Sequence, residues 1–300
     1  MSRTLIGVSS FSGLPFLELT LREVQHTTKH DNVALFVVVA KPNDHQMVSF
    51  LEARGIPYKQ DTENRGFASN VNDCYDRAFT HGDFDNLIIL GNDVIVMPGA
   101  VDAMIETADS TDFEMICGSE FNAQFLVNNY PEARRFFQGD DLVFNDFHSR
   151  PWEMHKDFRS GIQPDTRKDI RNFTLFKRSS FEKAGYDDTN YYPGAYFADN
   201  TYGRKCDIAG VSAAGLLESA FFHFTSRTIR QSVSRDHGSY FSRNGGHYAH
   251  TWGGGVGNER YALPYDGRGF QLSPDIFLKG ELKIGSREQE DAIIKYWSSL

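Results

Sequence analysis

Apolar positions in the first 120 residues alternate between two rhythms. Short runs that are apolar throughout are separated by stretches with apolar residues three or four apart. The runs Leu5–Ser9, Val33–Val39, Ile56–Lys59, Leu87–Leu90 and Met115–Gly118 predict strands, and the almost wholly apolar, β-branched Val33–Val39 predicts a strand covered on both faces. Between them, Leu14, Leu17, Leu21 and Val24 predict one helix, and Met47, Val48 and Leu51 a second, capped by Asn43 or Asp44. Phe67 to Phe79 predicts a third, with Val71, Cys74, Tyr75, Ala78 and Phe79 on one face. A fourth runs from Pro98 to Thr107 with proline in its first turn. Repeated strand–helix units of this length imply an α/β fold with a mostly parallel sheet flanked by helices. In such sheets ligands sit beyond the carboxyl ends of the strands.

The alternation stops near Phe121. Residues 122–171 are aromatic, charged and irregular, with Pro131, Pro151 and Pro164, and read as an insertion over the sheet. It resumes with a strand at Phe173–Phe176 and a helix at Ser179–Ala184 stopped by Gly185. A helix from Asp199 to Ala209 ends at Gly210, and a late strand covers Leu216–Phe224. Residues 238–267, rich in Gly, Tyr and His, read as loops around one helix, and Glu288–Ser298 as a terminal helix. The chain divides into 1–120, the insertion 121–171 and a second half, 172–300, within one domain.

Composition narrows this only a little. Of 300 residues 40% are hydrophobic and 24% charged, as in ordinary globular proteins. No apolar run approaches the roughly 20 residues that span a bilayer. The N-terminus enters a strand with no secretory apolar region. Cys74, Cys117 and Cys206 are far apart, without metal-type spacing, and read as reduced thiols of a cytoplasmic protein. Asn172-Phe-Thr174 matches a glycosylation acceptor, which means nothing without a secretory signal. The net charge of −9 disfavours broad nucleic-acid binding. Basic clusters at Arg167-Lys168…Arg171 and Arg227…Arg230…Arg235 read first as surface ion-pair networks.

Two stretches carry chemistry. In Asn86–Ala100, "NLIILGNDVIVMPGA", an apolar strand ends in Gly91-Asn92-Asp93 before turning apolar again. A carboxylate there is either a cap or a ligand for a cation. Asn64 to Asn72, "NRGFASNVN", sits between a strand and a helix, so its amides and backbone N–H groups either cap the helix or face the ligand crevice.

Together, "QDTENRGFASNVNDCYDRAF" and "NLIILGNDVIVMPGAVDAMI" resemble the GT-A-fold, family-2-type nucleotide-sugar glycosyltransferases. That family carries N-x-G-[FY]-x-x-x-x-N before its nucleotide-binding helix, and then a strand ending in D-x-D or N-D-D. Here the acidic motif reads Gly91-Asn92-Asp93: the last acid is kept and the first is glycine. The resemblance implies a Rossmann-like GT-A fold with an acceptor-side insertion and a C-terminal lid. It also implies a nucleotide-sugar donor (a UDP-sugar first) and Mn²⁺ or Mg²⁺ on the diphosphate, since a divalent cation on oxygen ligands neutralises that leaving group. Downstream, "FTLFKRSSFEKAGYDDTNYYPGAYFADNTYGRKCDIAGV" resembles the acceptor-side segment. Asp199 takes the place of the catalytic carboxylate, and Thr201 replaces a second acid. Inverting transfer needs a base for the acceptor hydroxyl; a helix N-cap is the plainer role for Asp199.

His223, in Phe221-Phe-His223-Phe, is a packed core histidine or, by the resemblance, joins Asp93 as a metal ligand. Ser226 and Arg227 are candidate phosphate contacts. Ser9, Ser10, Asn64, Gly66, Asn72, Asn92 and Asp93 are the donor-side residues the resemblance implies. Asp44 is the nearest acid to the family's base- or ribose-binding position. "HYAHTWGGGVGNERYALPY" resembles a C-terminal family feature in which Trp252 closes over the donor or acceptor; a glycine-rich turn anchored by Trp252 is the equal alternative. Two other readings remain: a phage-type transferase acting on hydroxylated DNA bases, and a sugar-nucleotide-binding protein without activity or a nucleotidyltransferase.

Overall fold

The computed structural model describes residues 2–122, 172–192, 194–224 and 237–261, with the short backbone stretches 137–138, 141–142 and 162–164. Most of the expected insertion, the basic clusters, Ser226 and the expected terminal helix at Glu288–Ser298 lie outside these residues.

Eleven strands and seven helices appear among the described residues. The first half is β1 (Thr4–Ser10), α1 (Leu14–Thr27), β2 (Val33–Val39), α2 (His45–Ala53), β3 (Tyr58–Gln60), α3 (Phe67–Tyr75), β4 (Asn86–Gly91), β5 (Val94–Val96), α4 (Ala100–Ser110) and β6 (Met115–Asn122). Short pieces follow at β7 (Phe137–Gln138), β8 (Asp141–Leu142) and β9 (Ile162–Pro164). The second half has β10 (Phe173–Lys177), α5 (Arg178–Ala184), α6 (Ala198–Ile208), β11 (Ala213–His223) and α7 (His237–Trp252). β7 and β8 pair with each other, and the remaining strands form one mixed, mostly parallel sheet, ordered β3-β2-β1-β4-β10-β6-β11-β5 with β9 beside β11.

Local chemistry explains most boundaries. Asp44 caps α2 by accepting from the Met47 N–H. Gly185 stops α5 at a φ of 68°. The fourth helix starts two residues later than Pro98. Pro98 and Gly99 occupy the middle of a type II turn, with Gly99 at φ 80°, and the Ala100 N–H bonds back to the Met97 carbonyl. The third helix loses its α-helical bonding at Tyr75 and widens into a π-turn over Asp76–Thr80.

The two faces of the sheet carry separate cores. Leu17, Leu21, Met47, Leu51, Met104 and Ile105, from α1, α2 and α4, cover one face. Val71, Cys74, Tyr75, Ala184, Tyr202 and Cys206, from α3, α5 and α6, cover the other. The helix α3 lies so close to β1 that a Cβ on Gly7 would sit 2.7 Å from the Cys74 sulfur. The third cluster, Ala68, Tyr191, Ala198, Tyr248 and Trp252, ties the start of α3 to α6 and α7.

Two features of the sheet place the site. First, β10 runs antiparallel between β4 and β6. The chain reaches it at the carboxyl edge of β4, where the Gly91 N–H donates to the Asn172 carbonyl (2.9 Å), and so it must run back down the sheet. Second, β5 pairs with the last residues of β11, Phe221–His223, four strand positions from β4. Three residues span at most about 11 Å, whereas four strand spacings on a flat sheet cover about 19 Å. The sheet therefore curls, and the pairing of β11 with β6 shifts register between Leu216 and Ala220. That curl carries the end of β11 back over the end of β4.

Candidate active site

The carboxyl ends of β1, β4 and β11 and the amino end of β10 meet at one edge of the sheet. The loop Gly91-Asn92-Asp93 is pinned there from three sides. Asn92 Nδ2 donates to Ser10 Oγ (3.0 Å) and to the Ser12 carbonyl (2.7 Å). Thr20 Oγ1 donates to the Asn92 and Val94 carbonyls. The Phe224 N–H donates to the Asp93 carbonyl (3.1 Å). With its backbone held by others, the Asp93 side chain faces His223: Oδ1 lies 3.5 Å from Nε2. The opposite ring nitrogen, Nδ1, lies 3.1 Å from Glu120 Oε1 and 3.0 Å from Asn172 Nδ2.

Burial disfavours charge on His223, but the hydrogen bonds and fields of Asp93 and Glu120 outweigh it and raise its pKa to about 9. This predicts a pH dependence for the metal-free protein. The folded pKa exceeds the unfolded value of about 6.5, so the folded state binds more protons between the two. The stabilisation is complete below pH 6.5 and is lost as pH rises through 9, at most about 3 kcal/mol in all. Urea midpoints taken with a chelator should fall over that range, and the same slope in His223→Gln would assign the effect elsewhere.

Asp93 and His223 suit a divalent cation by donor chemistry. A hard carboxylate oxygen and an imidazole nitrogen face each other at 3.5 Å, near the roughly 3 Å between adjacent ligands of an octahedral ion. The imidazole favours Mn²⁺ over Mg²⁺. Among the described residues no group of three or more His, Cys, Asp or Glu side chains is arranged for a metal. Water or the oxygens of an anionic ligand would have to supply the rest of the shell. At position 91 a Cβ would point between Asn172 Oδ1 (3.2 Å) and Asp93 Oδ1 (3.4 Å). A carboxylate there would crowd the same space, and glycine leaves it open.

The start of α3 forms the neighbouring wall. Asn64 Oδ1 accepts from the Gly66 N–H (3.0 Å), and Gly66 adopts φ 82°, ψ 168°, a conformation reserved for glycine. These two residues shape the turn into the helix. Asn70 joins the wall to β1 in the amide orientation that satisfies both of its ends: Oδ1 accepts from Ser9 Oγ (3.0 Å) while Nδ2 donates to Asp61 Oδ2 (3.1 Å) and the Gly66 carbonyl. Asp61, only 4% exposed, also holds Arg65, which pairs in turn with Asp73. Asn72 is engaged differently. Its Nδ2 donates to the Asp187 carbonyl and its Oδ1 accepts from the Asp187 N–H (2.7 Å), which clamps α3 to the turn before α6.

Asp199 lies in the first turn of α6, part-buried, with Oδ1 accepting from the Asn200 N–H (2.9 Å). The positive end of the helix favours its negative charge. Two residues earlier Phe197 adopts φ 67°, strained for a phenylalanine, and its ring packs on Phe241 and Tyr248. Beneath this turn lies a buried charge network. Lys205 Nζ donates to the Tyr186 carbonyl, and its charge is attracted to Asp187 and Asp188. Burial, then Asp188 and Asp199, push the Asp187 carboxyl well above the usual range, against the pull of Lys205. Asp188 Oδ2 and His247 Nε2 of α7 lie 3.2 Å apart.

Trp252 is fully buried. Its indole N–H donates to Thr201 Oγ1 (3.3 Å), the Tyr191 hydroxyl shares that oxygen, and the Arg204 guanidinium lies over its ring. The structure thus gathers Ser9, Ser10, Asn92, Asp93 and His223 at one strand edge, with Asn64 and Gly66 on the adjoining turn. It sets Asn72 and Trp252 in the packing around α6, and Asp44 at the cap of α2. Sequence reading missed Glu120, Asn70, Asp61 and the Lys205 network. Asn70, Asp61 and the Lys205 network lie inside the quoted stretches, whereas Glu120 carried no local signal.

No family profile matches the sequence, and no curated protein does. Solved structures do resemble the fold. A mannosyltransferase, PcManGT from Pyrobaculum calidifontis, solved with GDP-Man and Mn²⁺, aligns with 99% of this chain and 75% of its own at a TM-score of 0.55 and 12% identity. S. aureus TarS (residues 1–349) aligns with 76% of this chain and 62% of its own, at 0.52 and 10%. GalNAc-T7, solved with UDP, GalNAc and Mn²⁺, aligns with 74% of this chain and 43% of its own, at 0.53 and 9%. The chain thus spans under two thirds of the solved lengths of TarS and GalNAc-T7.

Proposed function

We propose that this chain, whose fold is that of GT-A glycosyltransferases, transfers a sugar from a nucleotide-sugar donor to an acceptor hydroxyl with inversion. The observation that carries the reading is the meeting of Asp93 and His223 across the curled sheet edge, 3.5 Å apart, beside the loop that Ser10 and Thr20 hold in place. The solved structures of like fold include two with Mn²⁺ and nucleotide or nucleotide sugar, and the Asn64–Asn72 and Gly91–Asp93 stretches resemble motifs of GT-A transferases.

In this reading Asp93 and His223 hold a divalent cation, Mn²⁺ before Mg²⁺, which when bound neutralises the charge developing on the leaving diphosphate. Ser9, Ser10 and Asn92 line the donor side of the edge, and Asn64 and Gly66 fix the turn that closes it. Asp199 takes the proton of the acceptor hydroxyl at the anomeric carbon's far side. Its helix turn is held at a set distance from the donor wall by the Asn72 clamp on Asp187 and by the contact of Ala68 with the α6 cluster. The strained Phe197 backbone fits a residue whose placement matters more than its local stability.

A thermal-shift screen of nucleotide sugars with and without Mn²⁺ tests the reading. A ligand at a hundred times its dissociation constant adds about 2.7 kcal/mol. The expected result is a donor-specific shift that needs Mn²⁺ and is lost in Asp93→Asn. No shift with any nucleotide sugar would sink the proposal.

A further inference from the structure

Asp93 accounts for one ring nitrogen of His223. The other faces a carboxylate that none of the family-type motifs contains. Glu120, near the end of β6, lies on the same sheet face as His223: Glu120 pairs with Phe221 and His223 with Asn122, so the two side chains are diagonal neighbours. Glu120 Oε1 lies 3.1 Å from Nδ1. An ionised carboxylate only accepts, so this contact requires the hydrogen on Nδ1. In the neutral ring that leaves the Nε2 lone pair pointing toward Asp93. Asn172 Nδ2 lies 3.0 Å from the same Nδ1, so it is the Glu120 contact alone that argues for the hydrogen on Nδ1.

We infer that Glu120 is a positioning residue for the metal site: by holding Nδ1–H it fixes the tautomer and ring orientation in which Nε2 can join Asp93 on a divalent cation. This rests on the metal-assisted reading above. It also gives a physical account of Gly91. Position 91 adds no carboxylate to the shell, so His223 becomes the second protein ligand. A flexible imidazole is a useful ligand only when its orientation is fixed from behind. Carboxylate partners of this kind also raise the basicity of the ligating nitrogen.

The test is Mn²⁺ binding alone, by electron paramagnetic resonance on the metal-stripped full chain, with no donor present. The wild type is compared with Glu120→Ala, Glu120→Gln and His223→Ala. Loss of such an outer partner typically weakens metal binding by about 10–100-fold, and that loss is expected in Glu120→Ala. Glu120→Gln should fall between, because its amide oxygen can still accept from Nδ1. At saturating Mn²⁺ the coupling from an imidazole nitrogen should persist in both Glu120 variants and vanish in His223→Ala. Glu120 is one-third exposed, so both of its variants should fold, and circular dichroism checks this. If Glu120→Ala binds Mn²⁺ like the wild type, the positioning role is overturned while the metal reading stands. Equal loss in both Glu120 variants would make Glu120 a ligand itself and overturn the role as well. If the wild type binds no Mn²⁺, both fall together.

Discussion

Asp199→Asn should slow sugar transfer by about 10²–10⁴-fold, the usual contribution of a positioned general base, while donor binding is unchanged. The isosteric amide still accepts from the Asn200 N–H, so the first turn of α6 keeps its geometry. What it loses is the capacity to take a proton. The informative measurement is the split between steps. Donor-induced thermal stabilisation with Mn²⁺ should match the wild type, and product formation in a single turnover should collapse. Near-normal turnover in Asp199→Asn would reduce the residue to a first-turn acceptor for the Asn200 N–H (the N-cap position itself belongs to Phe197) and leave the inverting mechanism without its base.

Lys205→Met should destabilise the fold by about 3 kcal/mol at neutral pH, because removing one partner of a buried charge group leaves the others uncompensated. Lys205 is 1% exposed, and Asp187 and Asp188 are almost as deeply buried. Methionine fills much of the same volume, so the loss is electrostatic rather than a cavity. Burial already pushes the Asp187 carboxyl upward; without the ammonium it rises further. The penalty should therefore shrink as pH is lowered and Asp187 protonates in the folded state. Urea midpoints for both proteins at pH 5 and pH 8 measure it. A penalty equal at both values would mean that Lys205 contributes packing, not charge. Because Asn72 holds the same turn from the other side, the variant should also lose transfer activity before it unfolds.

How much of this was legible in the sequence varied with the range of the interaction. Strand and helix positions came from local periodicity, and Val33–Val39 matched to the residue. Where boundaries moved, a neighbour two or three residues away decided: Gly99 in its left-handed turn delayed α4, and the π-turn at Asp76 cut α3 short. Trp252 shows the limit of motif reading. Its surroundings suggest equally an aromatic lid and a turn anchored by the ring, and the indole is fully buried against Thr201 and Arg204, as an anchor would be. An aromatic beside glycines has the same sequence whether it covers a cleft or anchors a helix. Asn72 is similar: the spacing that marks it is real, but only the fold reveals that both ends of its amide hold Asp187.

By itself the sequence determined the α/β order and the placing of Asp93 just past the end of an apolar strand, because strand and helix periodicity and the chemistry of turn residues act within a few positions. Only the tertiary structure decided that His223 and Glu120, from distant parts of the chain, converge on that acid. The curl of the sheet at the irregular pairing of β11 brings them there, and the two-residue connection Asn92-Asp93 between β4 and β5, too short to reach the far strand of a flat sheet, requires it, a constraint no local pattern encodes.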